Sequence, residues 1–252
     1  MKVSIITVVF NAQNTIADAI QSVASQSYKN IEHIVVDGAS SDATVDVINT
    51  HIETISHFIS EPDRGIYDAM NKGIRLATGD VIGLLNADDV FQDNTVVQQI
   101  VDAHADHELD ACYADLVYVD KQDMQKVRRF WKSKAYQPGL CFQGWMPAHP
   151  TLYLKRRVYE RVGLYNSELA YQSDLEFCAR AFEIHKISSQ YISNVWVRMR
   201  LGGVTNGSLK TMILGNWESY KALKKMGLKR NPFTYFFVKF IGRIPQFFRL
   251  NG

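Results

Sequence analysis

The sequence predicts an α/β fold in which a mostly parallel central sheet is flanked by helices and continues into a smaller antiparallel portion. Three observations carry this. Short β-branched runs alternate with helix-length amphipathic segments through the first hundred residues, the pattern of βαβ units. After residue 110 the alternation gives way to strand-like runs joined by polar turns. The composition, 46% hydrophobic and 21% charged over 252 residues, is that of a soluble globular chain long enough for one large α/β domain.

The elements follow in order. Val3–Val9 is a β-branched run bounded by polar residues from Asn11, and it is expected as a buried first strand. It has the apolar length of a short signal peptide but lacks a small-residue cleavage site. Ile16, Ala19, Ile20, Val23 and Ala24 recur at helical spacing. Ile31–Val36 is a second strand ending at Asp37-Gly38, followed by a helix over 43–49, a short strand over 55–60 and a helix over 66–77. Val81–Leu85 is a fourth strand that stops at Asn86-Ala87-Asp88-Asp89. In the second half, 110–119 and 127–131 read as an antiparallel pair, 151–154 as a strand, and a helix ends at Gly163. Ser173-Asp174-Leu175-Glu176 has the capping-box spacing and opens a helix with Leu175, Cys178 and Phe182 on one face.

Three cysteines without zinc-like spacing predict a reducing compartment and no disulfide framework. No apolar run reaches the ~20 residues that span a bilayer. Eight of the 28 basic residues and none of the 26 acidic ones fall in 221–252, so a net acidic body carries a basic tail. An acidic body without a recognised binding motif argues against nucleic acid as partner. In the tail, cations interleave with Phe233, Tyr235, Phe236, Phe237, Phe240, Phe247 and Phe248, and Pro232 and Pro245 interrupt any long helix. Two readings compete: a helix packed on the body, or a segment whose aromatics enter a lipid interface while its cations meet anionic headgroups.

In a parallel sheet, ligands bind beyond the carboxyl ends of the strands. Asp37 and Asp88-Asp89 lie at such ends, and Asp174 heads a helix. Taken singly, each has a bland reading as a turn residue or a first-turn acid. Together they form a site: adjacent carboxylates repel unless a cation joins them, and oxygen ligands suit Mg2+ or Mn2+ bound also by substrate phosphates.

The segments Val3–Asn11, Ile34–Asp42, Glu61–Gly73, Ala77-Thr78-Gly79-Asp80 and Leu84–Asp89 resemble glycosyltransferase family 2 in order. So do His149-Pro150-Thr151, Val162-Gly163-Leu164 and Ser173–Phe177; the likeness fades after about Thr205. The resemblance implies a GT-A fold and an inverting transfer of sugar from a nucleoside-diphosphate donor, of uridine type, to a hydroxyl of a glycan or lipid-linked acceptor. It implies surface-polysaccharide synthesis at the inner face of a bacterial membrane. It divides the chain into a GT-A domain over 1–210, with a nucleotide-binding half to about 109 and an acceptor half beyond, and a helical tail over 211–252.

Residue by residue, the resemblance places Thr7, Phe10 and Asn11 along the nucleotide pocket and gives Asp37 the ring N–H of the base. Asp63 is also base-proximal, and Lys72 and Arg64 are the nearby cations for the diphosphate. Asp88 and Asp89 are the metal ligands, one of them an alternative ribose contact. Asp174 is the catalytic base, and His149 and Trp145 face the acceptor, with Trp131 and Tyr171 as further stacking candidates. Two departures stand out: Asn86 occupies the first position of the family's D-x-D, and Met70 stands where many relatives have arginine. The rival readings are a metal-dependent nucleotidyltransferase, which needs no opposed base at 174, and a non-catalytic sugar-nucleotide-binding subunit.

Overall fold

The computed structural model describes residues 1–202 and 209–241, the side chains of 209–212 excepted. Phe247, Phe248 and Pro245 lie outside the described residues. The first half is built as expected: β1 (Val3–Val9), α1 (Ile16–Ala24), β2 (Ile31–Asp37), α2 (Thr44–Asn49), β3 (His57–Ser60), α3 (Ile66–Leu76) and β4 (Val81–Leu84). β1 pairs in parallel with β2 and β4, and β2 with β3. Every residue of β1 is buried, because the strand has neighbours on both edges and helices over both faces.

Side-chain alternation divides the core. Ile6, Val8, Ile34 and Val36 pack with Met70 and Ile74 of α3, whereas Val9 and Val35 pack with Ile16 and Ile20 of α1 and Ile48 of α2. Each such fully buried aliphatic contributes roughly 1.5–3 kcal/mol.

The second half contains β5 (Asp89–Phe91), α4 (Val96–Ala103), β6 (Ala111–Val119), β7 (Val127–Trp131), β8 (Tyr153–Lys155), α5 (Arg156–Val162), α6 (Ser173–Ala179) and β9 (Ser189–Arg200). The sheet runs β3-β2-β1-β4-β8-β6-β9-β5, with β7 beside β6. β8 is antiparallel to both β4 and β6, and it joins the parallel first half to a second half that is mixed rather than antiparallel as expected, since β6 pairs in parallel with β9 while β5 and β9 are antiparallel. The expected β6–β7 pair is present and antiparallel. Leu175, Cys178 and Phe182 share one core cluster, as their spacing predicts. The three cysteines are free and buried.

One local expectation needs correction. Ser173 and Glu176 do not form a capping box. The Ser173 hydroxyl is buried without a partner among the described residues, and Glu176 turns to Arg180 one turn on, at 2.8 Å. As expected, no long helix runs through Pro232: it is the first residue of a separate helix, α8 (Pro232–Ile241), where its missing N–H costs nothing. α8 and α7 (Leu209–Lys225) pack on the body rather than extending from it: α7 lies on α6, and α8 on α7 and residues 141–143.

Candidate active site

Strand register assembles the first part of the site. β1 ends with Val9 opposite Asp37, and Asp37 is opposite Ser60 of β3. The carboxylate of Asp37 accepts hydrogen bonds from Ser60 Oγ at 2.6 Å and from the backbone N–H and hydroxyl of Ser40. Asp37 is fully buried, so these bonds bind the loop after β2 to β3. Asn11, at φ 49°, accepts from Ser41 N–H and donates its own N–H to Ser40 Oγ, both at 2.8 Å. Phe10, just before it, stands 63% exposed.

Gly38 is where these parts meet. A Cβ there would overlap Asp63 Oδ2 and touch the Phe10 ring at 3.5 Å, so only glycine allows the approach. Asp63 Oδ1 accepts from Gly65 N–H at 2.8 Å, which leaves Oδ2 as the oxygen facing Gly38. Phe10, Gly38 and Asp63 thus form an aromatic and carboxylate corner at the strand ends. Thr7 is not part of it: it is fully buried, and its hydroxyl meets His33 Nε2 at 3.0 Å. Lys72 is held away by Glu61 and the Pro62 carbonyl, each at 2.8 Å. Arg64 is exposed and pairs with Asp68.

The second part lies at the end of β4. Asp88 is half-buried, and burial raises its pKa above the ordinary carboxylate range. Asp89 is fully buried, and burial together with the Asp88 charge raises it well above that range. Its Oδ2 accepts from Asn86 Nδ2 at 3.1 Å, while its Oδ1 and Asn86 Oδ1 have no partner among the described residues. The cation beside these acids is Arg200 at the end of β9, which donates to the Asp88 carbonyl at 3.1 Å and pairs with Asp18. Arg200 escaped sequence reasoning because only the β5–β9 pairing, Asp89 opposite Met199, brings it there.

His149 connects the two halves. Asn86 Nδ2 lies 3.2 Å from its Nε2. Burial lowers the His149 pKa, and the carboxylates of Asp174 and Asp88 both act on it in the opposite sense. The acid at the end of β4 and the acid at the start of α6 thus both act on one imidazole. Asp174 Oδ1 accepts from Leu175 N–H at 2.8 Å and receives Tyr67 OH at 3.4 Å. Asn71 of α3, bonded through its amide to both N–H and C=O of Tyr165, ties the donor half to the segment leading into α6. Trp145 packs edge-on to Tyr113 and Phe182 and near Tyr136, within an aromatic cluster. Trp131 stacks on Tyr118.

The donor set suits a hard divalent cation in part. Two desolvated carboxylates with an orphaned oxygen gain from a positive charge, and Asp88 has the exposed surface to meet one. Joint ligation by Asp88 and Asp89 does not follow, since Asp89 has no exposed surface and already accepts from Asn86. No group of three or more His, Cys, Asp or Glu is disposed as a metal site among the described residues.

Comparison with known proteins agrees with this picture. The family model for glycosyl transferase family 2 matches residues 4–163. A PGL/p-HBAD biosynthesis glycosyltransferase of Mycobacterium tuberculosis is 28% identical over 207 residues, covering 81% of this chain and 78% of the relative. Among solved structures, S. aureus TarS 1-349 in complex with UDP-GlcNAc superposes with a TM-score of 0.66 at 14% identity, covering 95% of this chain and 70% of that one. The mannosyltransferase PcManGT from Pyrobaculum calidifontis, in complex with GDP-Man and Mn2+, gives a TM-score of 0.67 at 17% identity, covering 92% and 67%. These two structures establish the GT-A fold.

Proposed function

The chain belongs to glycosyl transferase family 2 and is a glycosyltransferase, and we propose that it moves a sugar from a UDP-sugar to a hydroxyl of a glycan or lipid-linked acceptor with inversion. The observation that carries this reading is the meeting of two family-matched segments at one point, where Asn86 Nδ2 of the strand end before Asp88 lies 3.2 Å from His149 Nε2. The base stacks on Phe10, and Asp63 Oδ2 takes its ring N–H. The one carboxylate oxygen of Asp63 not engaged by Gly65 matches the one N–H donor of uracil, whereas guanine presents several. Asp37 shapes the floor of this pocket through Ser40 and Ser60, with Asn11 fixing the loop above it.

Asp88 would hold Mg2+ or Mn2+, which neutralises charge growing on the departing diphosphate. Arg200 adds positive charge from the other side of Asp88. Asp174 accepts the proton of the acceptor hydroxyl as its oxygen bonds to the anomeric carbon. The bond to the diphosphate breaks on the opposite side, its electron pair leaves with UDP, and the configuration inverts. His149, 3.2 Å from Asn86, orients the acceptor beside the end of β4.

The acceptor side also supports a membrane surface as partner. Phe233, Phe237 and Phe240 stand 84%, 63% and 68% exposed at i, i+4 and i+7 along α8, and Lys221, Lys224, Lys225 and Lys229 are exposed nearby in sequence. No helix among the described residues is long and apolar enough to cross a membrane, so contact would be peripheral.

The deciding experiment is a panel of nucleotide sugars scored for enzymatic release of the nucleoside diphosphate, followed by proton NMR of the product anomer. Release of UDP with inverted configuration is expected. Retained configuration, or turnover with GDP-sugars alone, would overturn the mechanism or the base assignment respectively.

A further inference from the structure

We infer that α7 belongs to the catalytic apparatus, with Glu218 as a positioning residue that sets Asp174 against the reacting carbon. The inference rests on the reading of Asp174 as the base, and it adds an element beyond the 4–163 segment that the family model matches.

The residues leading into α6 lack a cap of their own. Ser173 and Glu176, whose spacing suggests one, are engaged elsewhere or unpartnered among the described residues. Glu218 reaches across from α7 instead. Its Oε1 accepts Ala170 N–H at 2.7 Å, and its Oε2 accepts Tyr171 and Gln172 N–H at 2.7 and 2.9 Å. Three successive backbone donors close on one carboxylate, which fixes the path of the chain two residues before Asp174. Such charge-assisted bonds are short and strong.

The grip is doubled by side chains. Lys239 of α8, 5% exposed, donates to Gln172 Oε1 and to Ser219 Oγ, both at 3.1 Å. Gly215 lets α7 come this close: a Cβ there would meet Tyr171 Cβ at 3.1 Å. Among the described residues the Asp174 carboxylate meets the adjacent Leu175 N–H and, at 3.4 Å, Tyr67 OH, whose oxygen also takes the backbone N–H groups of Ser173 and Asp174. The placement of Asp174 therefore depends on the backbone that Glu218 anchors. A displacement of about 1 Å at a reacting group can cost on the order of 100-fold in rate.

Glu218→Gln tests this with little change of shape. One oxygen still accepts, but the amide group cannot take the N–H donors on its side. Three quantities are measured in the full chain: affinity for UDP with Mn2+, sugar-transfer kcat, and melting temperature, beside Asp174→Asn and the surface control Glu160→Ala. The expected result is a 10- to 100-fold fall in kcat for Glu218→Gln with UDP affinity within twofold of the unaltered protein. Glu160→Ala is expected to be unchanged. If Asp174→Asn is inactive while Glu218→Gln keeps full kcat, the positioning role fails and the base assignment stands. If Asp174→Asn retains turnover, the base assignment itself fails. Parallel loss of UDP affinity and kcat in Glu218→Gln would mean a general structural role and overturn the inference.

Discussion

The donor corner and the acceptor side place their carboxylates by different means. At the donor corner, Asp37, Ser40, Ser60 and Asn11 are brought together by neighbouring parallel strands and the loops that leave them. At the acceptor side, Asp174 is set by partners from three distant elements: Tyr67 of α3, Glu218 of α7 through the backbone before it, and Lys239 of α8 through Gln172. The first arrangement is a property of the sheet and forms with it. The second exists only once the C-terminal helices have docked. A site divided this way can keep its nucleotide pocket while losing transfer, and the two functions should separate under mutation.

The widest separation is expected at Asp174. Asp174→Asn should lower transfer by about 1,000-fold, the usual reach of a general base, with UDP affinity unchanged in calorimetry. Asp88→Asn, or chelation of divalent cations, should remove about 100-fold or more. It should also abolish the extra thermal stabilisation that Mn2+ gives to the UDP-bound protein, because the cation would then lack its carboxylate ligand.

Within the donor corner, the two acids should part company. Asp63→Ala should weaken UDP binding by about 10-fold or more, one charge-assisted hydrogen bond, with little change in melting temperature. Asp37→Ala should instead destabilise the fold by about 2–3 kcal/mol in urea titration, because it leaves Ser40 and Ser60 without their shared acceptor.

The smallest effect is a pH dependence of stability, to which the first half contributes through His33 and Glu32. Burial pushes His33 down to about 4 from 6.5, so the unfolded chain binds a proton there that the folded chain refuses. Stability should fall as pH drops through that window. Burial alone would raise Glu32, but Lys2, Ser4 and Thr78 hold it down at about 2 against 4.5. A further loss should follow below pH 4.5, and denaturant titration of Glu32→Gln should lack that second step.

The same division governs what could be read from the sequence. The strands and helices of the first half were legible because β-branched runs and amphipathic spacing reflect local burial, and strand ends mark ligand positions whatever the side chains do. β9 was missed, although it runs for 12 residues, since its pattern takes meaning only from pairing with β6 and β5. Arg200 was missed with it. The capping-box spacing at 173–176 was real, but Arg180 and Glu218 offered stronger partners from one turn on and from another helix. Lys239 illustrates the converse: a cation in a basic tail reads as solvated, yet it turns inward between Ser219 and Gln172.

A crystal structure with UDP and Mn2+ bound tests the central claim most directly, that acids from the two halves serve one carbon. The diphosphate is expected against Asp88, the uracil at Phe10 and Asp63, and the Asp174 carboxylate across the same cavity with room for a sugar between. A diphosphate bound away from Asp88, or screened from Asp174 by intervening side chains, would contradict it.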